Sequence, residues 1–520
     1  MEPLANTTSS KTDYEKLLTI SVFFIIFASA FHLFSLVTAD PDLWGHLKFG
    51  MDHVKQGALE WTDPYSFTAY GYTWINHEWL CEVIFYLVYK AFSDAGLLYG
   101  KLLMGFAALG FLILACFRRT VNPLVLAVTG VLALIGMSPG FMIRPQLFSF
   151  LFFGVFLYVL QLYFTGRRNL LFLLPILTAL WVNLHGGFLM GWALMLVVTG
   201  WETFSHVILR RKRDGLRKIW AAFIALNLAT LINPYGYRLH VFLWETLTFT
   251  PDITEWNRLY LFDFSYPYVK ALMVLYLLCA IFDRKNVRGW EFWAVAMTLF
   301  ATLKHERHSV FFAMSAMPFI VNHASNKVRD LKSRYPGVSI SPPSKLAITV
   351  FMCLAAAMLT ARGASIYAAS DSRIFVDFDK YPAHAVAFMK KNRIQGNVLV
   401  PFDWGEYVLW HLYPESKVSI DGRFTTSYPD SVIDPHFLAI DDEAGWKRLV
   451  EKFPSDVIIA RQIPYFQKLA AQKNPTWIYV YSDRLSIVFI KYSLKNSELL
   501  KRFVTGRFVY SNKPLEPFFP

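Results

Sequence analysis

Two aspartates, Asp40 and Asp42, stand two positions apart in the stretch ADPDLWGHL (39–47), directly behind a long apolar run. Carboxylates so placed can act as a general base or hold a divalent cation, magnesium or manganese being the hard ions that suit oxygen ligands. A second constellation, KHERH (304–308), sets Lys304, His305, Arg307 and His308 in a turn between apolar runs, and Arg144 of IRPQ (143–146) adds a planar fork. Fixed cations beside a bilayer suit an anionic phosphate. Each group also has a plainer reading. Asp40-Pro41-Asp42 can simply end the apolar run and open an amphipathic helix over 43–55. KHERH can neutralise itself through Glu306, Arg144 can snorkel to the interface, and Trp44 reads as an interfacial anchor.

These residues need a frame, and composition says what it is. With 55% hydrophobic residues over 520 positions and a mean hydropathy of +0.35, the chain holds more apolar surface than one soluble core needs. The reading is a polytopic helical membrane protein. Its first run, Leu17 to Thr38, is uncharged and long enough to cross roughly 30 Å of hydrocarbon. The formal charge of +13 gathers in short clusters between apolar runs, RRKRDGLRK (210–218) being the densest. That pattern marks cytoplasmic loops and gives no nucleic-acid face. The four cysteines, Cys81, Cys116, Cys279 and Cys353, sit in apolar segments and read as small hydrophobes.

Placing every basic cluster inside requires an even number of spans between neighbours. Segment 77–93, with Glu78, Glu82 and Lys90, breaks that parity and is read as an interfacial or partly inserted helix. About eleven spans then fill residues 1–362, and a long first external loop covers 39–96. The outer face receives ADPDLWGHL, NHEW (76–79), IRPQ, VNLHGG (182–187), INPYG (232–236), PDITEW (251–256) and KHERH. Gly187 and Gly191 suit close helix packing, while Asn183 and His185 suit satisfaction of buried backbone.

After Arg362 the apolar runs shorten to strand length: NVLVPF (397–402), KVSID (417–421), DVIIA (456–460), WIYVY (477–481) and LSIVFI (485–490), the last two joined at Ser482-Asp483-Arg484 as a hairpin. Residues 382–392 and 441–450 read as helices. Residues 363–520 are thus expected to form a soluble extracytoplasmic α/β domain. No GxGxxG follows the first strand, so no nucleotide cofactor is expected. DGRF (421–424) closes a strand with Asp421 and Arg423, which serves a functional loop or a turn salt bridge equally well.

Within that domain PFDWGEYVLW (401–410) resembles the WWDYG signature of oligosaccharyltransferases, Trp404, Glu406 and Tyr407 being the nearest matches, with one tryptophan in place of two. DITE (252–255) resembles their TIxE motif, matching at Ile253 and Glu255, and ADPDLWGHL resembles the first external loop of GT-C glycosyltransferases. The resemblance implies a GT-C-like bundle that transfers a sugar from a polyprenyl-phosphate-linked donor to a glycan, lipid or protein acceptor at the outer face of a bacterial or archaeal cell membrane. It implies a catalytic Asp40, then Asp42, with Glu255 as a further catalytic or metal-binding acid. Arg144, Lys304, His305 and Arg307 would hold the donor phosphate, and Trp404, Glu406 and Tyr407 would read the acceptor. Trp404 and Tyr407 are equally suited to a plain α/β core. Two other classes remain open, a transporter or flippase of lipid-linked sugars and a non-catalytic membrane protein of the same layout. Against the transporter, no inverted internal repeat is visible.

Overall fold

A computed structural model describes residues 4–117, 121–211, 215–248, 256–284, 287, 289–337, 340–439, 443–472, 474–510 and 515–520. Glu255, with Asp252 and Ile253, lies outside the described residues, as do Arg118 and Arg119 and the first two residues of the helix expected over 441–450. Among the described residues, thirteen α-helices come first in chain order: α1 (Leu4–Phe34), α2 (Leu43–Gln56), α3 (Trp79–Cys116), α4 (Pro123–Met137), α5 (Gln146–Phe164), α6 (Leu173–Trp181), α7 (Phe188–Val207), α8 (Leu216–Ala229), α9 (Arg238–Thr248), α10 (Pro267–Phe282), α11 (Trp290–Lys304), α12 (Ser309–Arg334) and α13 (Pro342–Ala369). A mixed region comes next, in the order α14 (Ala383–Asn392), β1 (Gly396–Leu399), α15 (Gly405–Leu412), β2 (Ser416–Val418), α16 (Asp430–Leu438), α17 (Glu443–Lys452), β3 (Val457–Arg461), α18 (Pro464–Ala471), β4 (Trp477–Ser482), β5 (Ser486–Lys491) and α19 (Ser497–Val504).

Among the described residues, six helices are long and apolar enough to cross a membrane: Asp13–Phe34, Trp79–Cys116, Pro123–Gly140, Gln146–Phe164, Phe188–Val207 and Pro342–Ala369. The protein is an integral, multi-pass membrane protein. Segments 77–93 and 97–116, read separately from sequence, are two helices within α3 that meet at a kink at Ser93 (φ 55°, ψ −155°). The chain folds as two compact units. The first comprises Met1–Leu36, Leu98–Tyr237 and Phe249–Ser372, and the second Val37–Leu97, Arg238–Thr248 and Arg373–Pro520.

Small residues let helices of the first unit approach closely. A methyl group on Gly191 would lie 2.6 Å from the Trp181 ring, and one on Gly363 2.8 Å from Phe31. Asn183 Nδ2 donates to the carbonyls of Ala179 (2.9 Å) and Ile232 (2.8 Å), and His185 Nδ1 pairs with Ser149 Oγ at 2.7 Å. Both side chains therefore satisfy local polar groups, as their position between packed segments suggests.

The second unit is built on a five-stranded sheet in the order β2-β1-β3-β5-β4. β1 runs parallel to β2 and β3, while β5 is antiparallel to β3 and β4, so the expected hairpin at Ser482-Asp483-Arg484 is present. One face buries Leu399, Ile458, Phe489, Trp446 and Phe466. The first loop is woven into this unit. Phe67 N donates to Val418 O (3.0 Å), Ile75 N to Thr426 O (3.0 Å) and Ala39 N to Phe375 O (2.8 Å), so loop residues extend the edge beyond β2.

Candidate active site

The parallel strands β1 and β2 end side by side, and the segments leaving their carboxyl ends form the site. After β1 a short turn leads into α15, whose second residue is Glu406; after β2 come Asp421, Gly422 and Arg423. Open α/β sheets place ligand sites at the carboxyl ends of such strands. Gly405 lets α15 start there, because a methyl group on it would lie 2.1 Å from Ile420 O.

Facing these ends is the start of α2. Glu406 is 5% exposed, and its Oε2 accepts a hydrogen bond from Gly45 N at 3.0 Å. A methyl group on Gly45 would lie 2.2 Å from the Glu406 carboxyl carbon; one on Gly422 would lie 2.6 Å from Glu406 Oε1 and 2.7 Å from Asp42 Oδ1. A side chain at either position would displace these carboxyl ends, and the carboxyls of Asp42 and Glu406 converge on Gly422. Burial pushes the Glu406 carboxyl well above the usual carboxylate range, and Asp42 and Asp421 push it further, against the Gly45 N–H and Arg423. Asp40 has a different place. It is 3% exposed, and its Oδ1 accepts from Asp42 N at 3.1 Å, so it shapes the turn that presents Asp42.

Two buried groups hold this corner. Arg423 grips Asp421 through Nε (2.9 Å) and Nη2 (2.7 Å) and pairs with Asp63 of the first loop through Nη1 (2.7 Å). Its guanidinium lies 4.8 to 5.5 Å from the rings of Trp74, Tyr65, Phe49 and Tyr428. Beneath α2, Glu82 accepts from Asn76 Nδ2 (2.6 Å) and stands 3.7 Å from both His46 Nδ1 and His53 Nδ1. Burial opposes protonation of His46, but Glu82, Glu78 and Asp42 together outweigh it, and its pKa is raised. Gly50 admits this packing, since a methyl group on it would lie 2.1 Å from Glu82 O.

No family model and no curated protein matches the sequence. Solved structures do. The apo crystal structure of the Archaeoglobus fulgidus oligosaccharyltransferase matches at a TM-score of 0.56 and 11% identity, over 92% of this chain and 74% of that one. The same enzyme, tethered by a disulfide bond to an acceptor peptide containing the NVT sequon, matches at 0.56 and 11% over 93% and 74%. The fold is a GT-C membrane fold. ArnT from Cupriavidus metallidurans bound to undecaprenyl phosphate aligns at a TM-score of 0.46 and 13% identity, over 92% of this chain and 98% of that one.

Within this GT-C fold the residues singled out from sequence fall into two groups. Asp40, Asp42, Trp404, Glu406 and Tyr407 lie in the second unit. Trp404 is wholly buried, its Nε1 donating to Lys380 O at 2.7 Å, and Tyr407 packs on Tyr381 and Trp44. Both are core side chains there. So is Trp44, which the sequence reading put at a membrane interface: it is enclosed by Tyr381, Tyr407 and Phe519, because α2 belongs to the α/β unit.

Arg144, Lys304, His305 and Arg307 lie in the first unit. His305 Nδ1 meets Trp256 O at 2.7 Å, Glu306 N donates to Asn257 O at 3.0 Å, and the Arg307 guanidinium sits 4.9 Å from the Trp256 ring centre. KHERH thus clasps the residues directly after DITE. The turn Ser138–Gly140, ahead of Arg144, packs on the start of α12, where a methyl group on Gly140 would lie 2.8 Å from Val310. The divalent cation expected at Asp40, Asp42 and Glu255 draws on a residue outside the described ones. Among the described residues no three His, Cys, Asp or Glu side chains are grouped to hold a metal, and no step of the proposed reaction runs through one. Sequence reasoning overlooked Asp63, Glu82, Gly45 and Gly422. The local signals were two: a glycine set in the first turn of a helix behind an acid, and another set between Asp421 and Arg423.

Proposed function

We propose that the protein is a glycosyltransferase, moving a sugar or glycan from a polyprenyl-phosphate-linked donor to a glycan, lipid or protein acceptor, with its second unit on the extracytoplasmic side. The observation that carries this reading is the convergence of Asp42 and Glu406 on Gly422, at the ends of two parallel strands, in a chain with the fold of an oligosaccharyltransferase. Transfer from a lipid phosphate needs a base to raise the electron density of the acceptor and positive charge to stabilise the departing phosphate. Asp42, half-buried at the opening of α2, is the base in this reading, and Asp40 is its support. That reverses the order expected from sequence. Arg307 and Lys304 supply cations for the phosphate, Arg307 being braced over Trp256. Because WGEY departs from WWDYG, the acceptor is not assigned to an Asn-X-Ser/Thr peptide.

The test is transfer from a lipid-linked sugar by purified protein. Asp42→Asn keeps the shape but removes the charge, and transfer should fall at least about a hundredfold while donor binding persists. Asp40→Asn keeps an oxygen for the Asp42 N–H and should do less. Full activity in Asp42→Asn would end this reading. Sidedness is checked separately, in a cysteine-free background: Leu494→Cys should react with an impermeant thiol reagent from outside, and Lys218→Cys should not.

A further inference from the structure

Within the first unit, α1 and α13 run side by side in the same direction. At one end Lys345 Nζ of α13 donates to Glu15 Oε1 of α1 at 2.8 Å; at the other a methyl group on Gly363 would lie 2.8 Å from the Phe31 ring, on which Tyr367 also stacks. The two helices therefore begin and end level. Lys345 and Arg362 are separated by about 25 Å of α-helix without a charge between them, and the same rise separates Glu15 from His32. A bilayer's hydrocarbon is roughly 30 Å thick, so with Lys345 in one headgroup layer Arg362 stands at the edge of the other.

Arg362 is exposed, and it continues a stripe of exposed apolar side chains on α13, Phe351, Leu354 and Met358, set three and four positions apart. From Phe351 to Arg362 the stripe covers about 16 Å, the depth of one leaflet. Among the described residues no carboxylate pairs with Arg362. The ionisable group close enough to act on it across the seam is His32, which brings no negative charge. A cation at the rim of the hydrocarbon is costly without an anion. The planar fork of arginine matches two oxygens of a phosphate, and the stripe below it matches the chains attached to such a phosphate.

We propose that Arg362 holds the phosphate of an anionic phospholipid in the leaflet opposite Lys345, with the acyl chains of that lipid lying along Phe351, Leu354 and Met358. This site lies on the outside of the bundle and stands whether or not the protein is a transferase. A headgroup such as that of phosphatidylglycerol suits it better than phosphatidylcholine, whose own ammonium competes for the phosphate.

The test uses the full chain in phosphatidylcholine nanodiscs carrying a minority of phosphatidylglycerol with a photoreactive group at the top of one acyl chain. After illumination, mass spectrometry should find the label on residues 351–365, with the basic stretch 327–334 as internal reference. In Arg362→Gln that label should fall at least about fivefold relative to the reference, as expected for loss of one charge-assisted contact. Arg362→Lys keeps the charge but not the fork and should lie between the two. Photoreactive phosphatidylcholine should label residues 351–365 of the parent no better than phosphatidylglycerol labels them in Arg362→Gln. Equal labelling of the parent and Arg362→Gln would overturn the proposal, as would equal labelling of the parent by the two lipids. Suppression of the label by excess inorganic phosphate would show a site for the free anion and would equally remove the lipid. Because Arg362 is exposed, its replacement should leave the melting temperature unchanged, so a lost label reports binding and not unfolding.

Discussion

The turn at KHERH and the corner around Arg423 both gather charge, but they hold it in opposite ways. Lys304 is exposed and Arg307 half-buried, its guanidinium 4.9 Å from the Trp256 ring centre. Arg423 is enclosed, with two aspartates on its nitrogens and four aromatic rings around it. A charge sealed among its own partners fixes the shape of the chain. One exposed to solvent, as Lys304 is, can meet a ligand. Asp42 stands between these extremes, which is why it and not Asp63 or Asp421 is the acid assigned to chemistry.

The contrast can be broken at its strongest point first. Arg423→Met leaves Asp63 and Asp421 buried without their cation, and denaturant titration should show a loss of about 3–5 kcal/mol in the second unit. A loss under about 1 kcal/mol would mean that this corner is wetter than its geometry says. Next comes the surface cluster. Arg307→Ala should weaken donor binding by one to two decades, about 1.5–3 kcal/mol for a charge-assisted contact, with melting little changed. Equal binding in Arg307→Ala and Lys304→Ala would make the clasp on Trp256 purely structural. The smallest effect sets the baseline. Lys468, exposed and 3.5 Å from an equally exposed Glu443, should on removal change stability by no more than about 1 kcal/mol. A larger change there would erase the distinction between enclosed and exposed pairs.

Sequence showed more of the frame than of the site. The five strands were legible because each is a short apolar run between turn signals, and the hairpin at Ser482-Asp483-Arg484 is a local event. Segments 77–93 and 97–116 were legible as two helices, which meet at the non-helical Ser93, but the acids of the first looked interfacial. Glu82 is instead paired with Asn76 and two histidines. Trp44 looked interfacial because it comes soon after a span, and the rings that pack on it, Tyr381, Tyr407 and Phe519, come from far downstream. Sequence ranked Asp40 ahead of Asp42, and the function proposed here takes them in the other order. Their difference comes from which one turns its oxygen onto a neighbouring N–H and which one faces Gly422, and that is a matter of side-chain direction. Glu406 was noticed through a motif, yet its bond to Gly45 was invisible, because no local pattern connects residues so far apart.

That separation has a consequence for how the protein is made. Gly45 leaves the ribosome 361 residues before Glu406, an interval of roughly 20–70 s at synthesis rates of 5–20 residues per second. Throughout it, the first loop already carries its aromatic residues and the acid Asp63, while the strand edge and the arginine that will enclose them do not yet exist. Nascent chains halted after α13 should therefore show protease-sensitive bonds around residues 57–78 that become resistant only once the segment through Tyr428 has emerged. The early half of the second unit is a waiting surface, and its protection arrives from the far end of the gene.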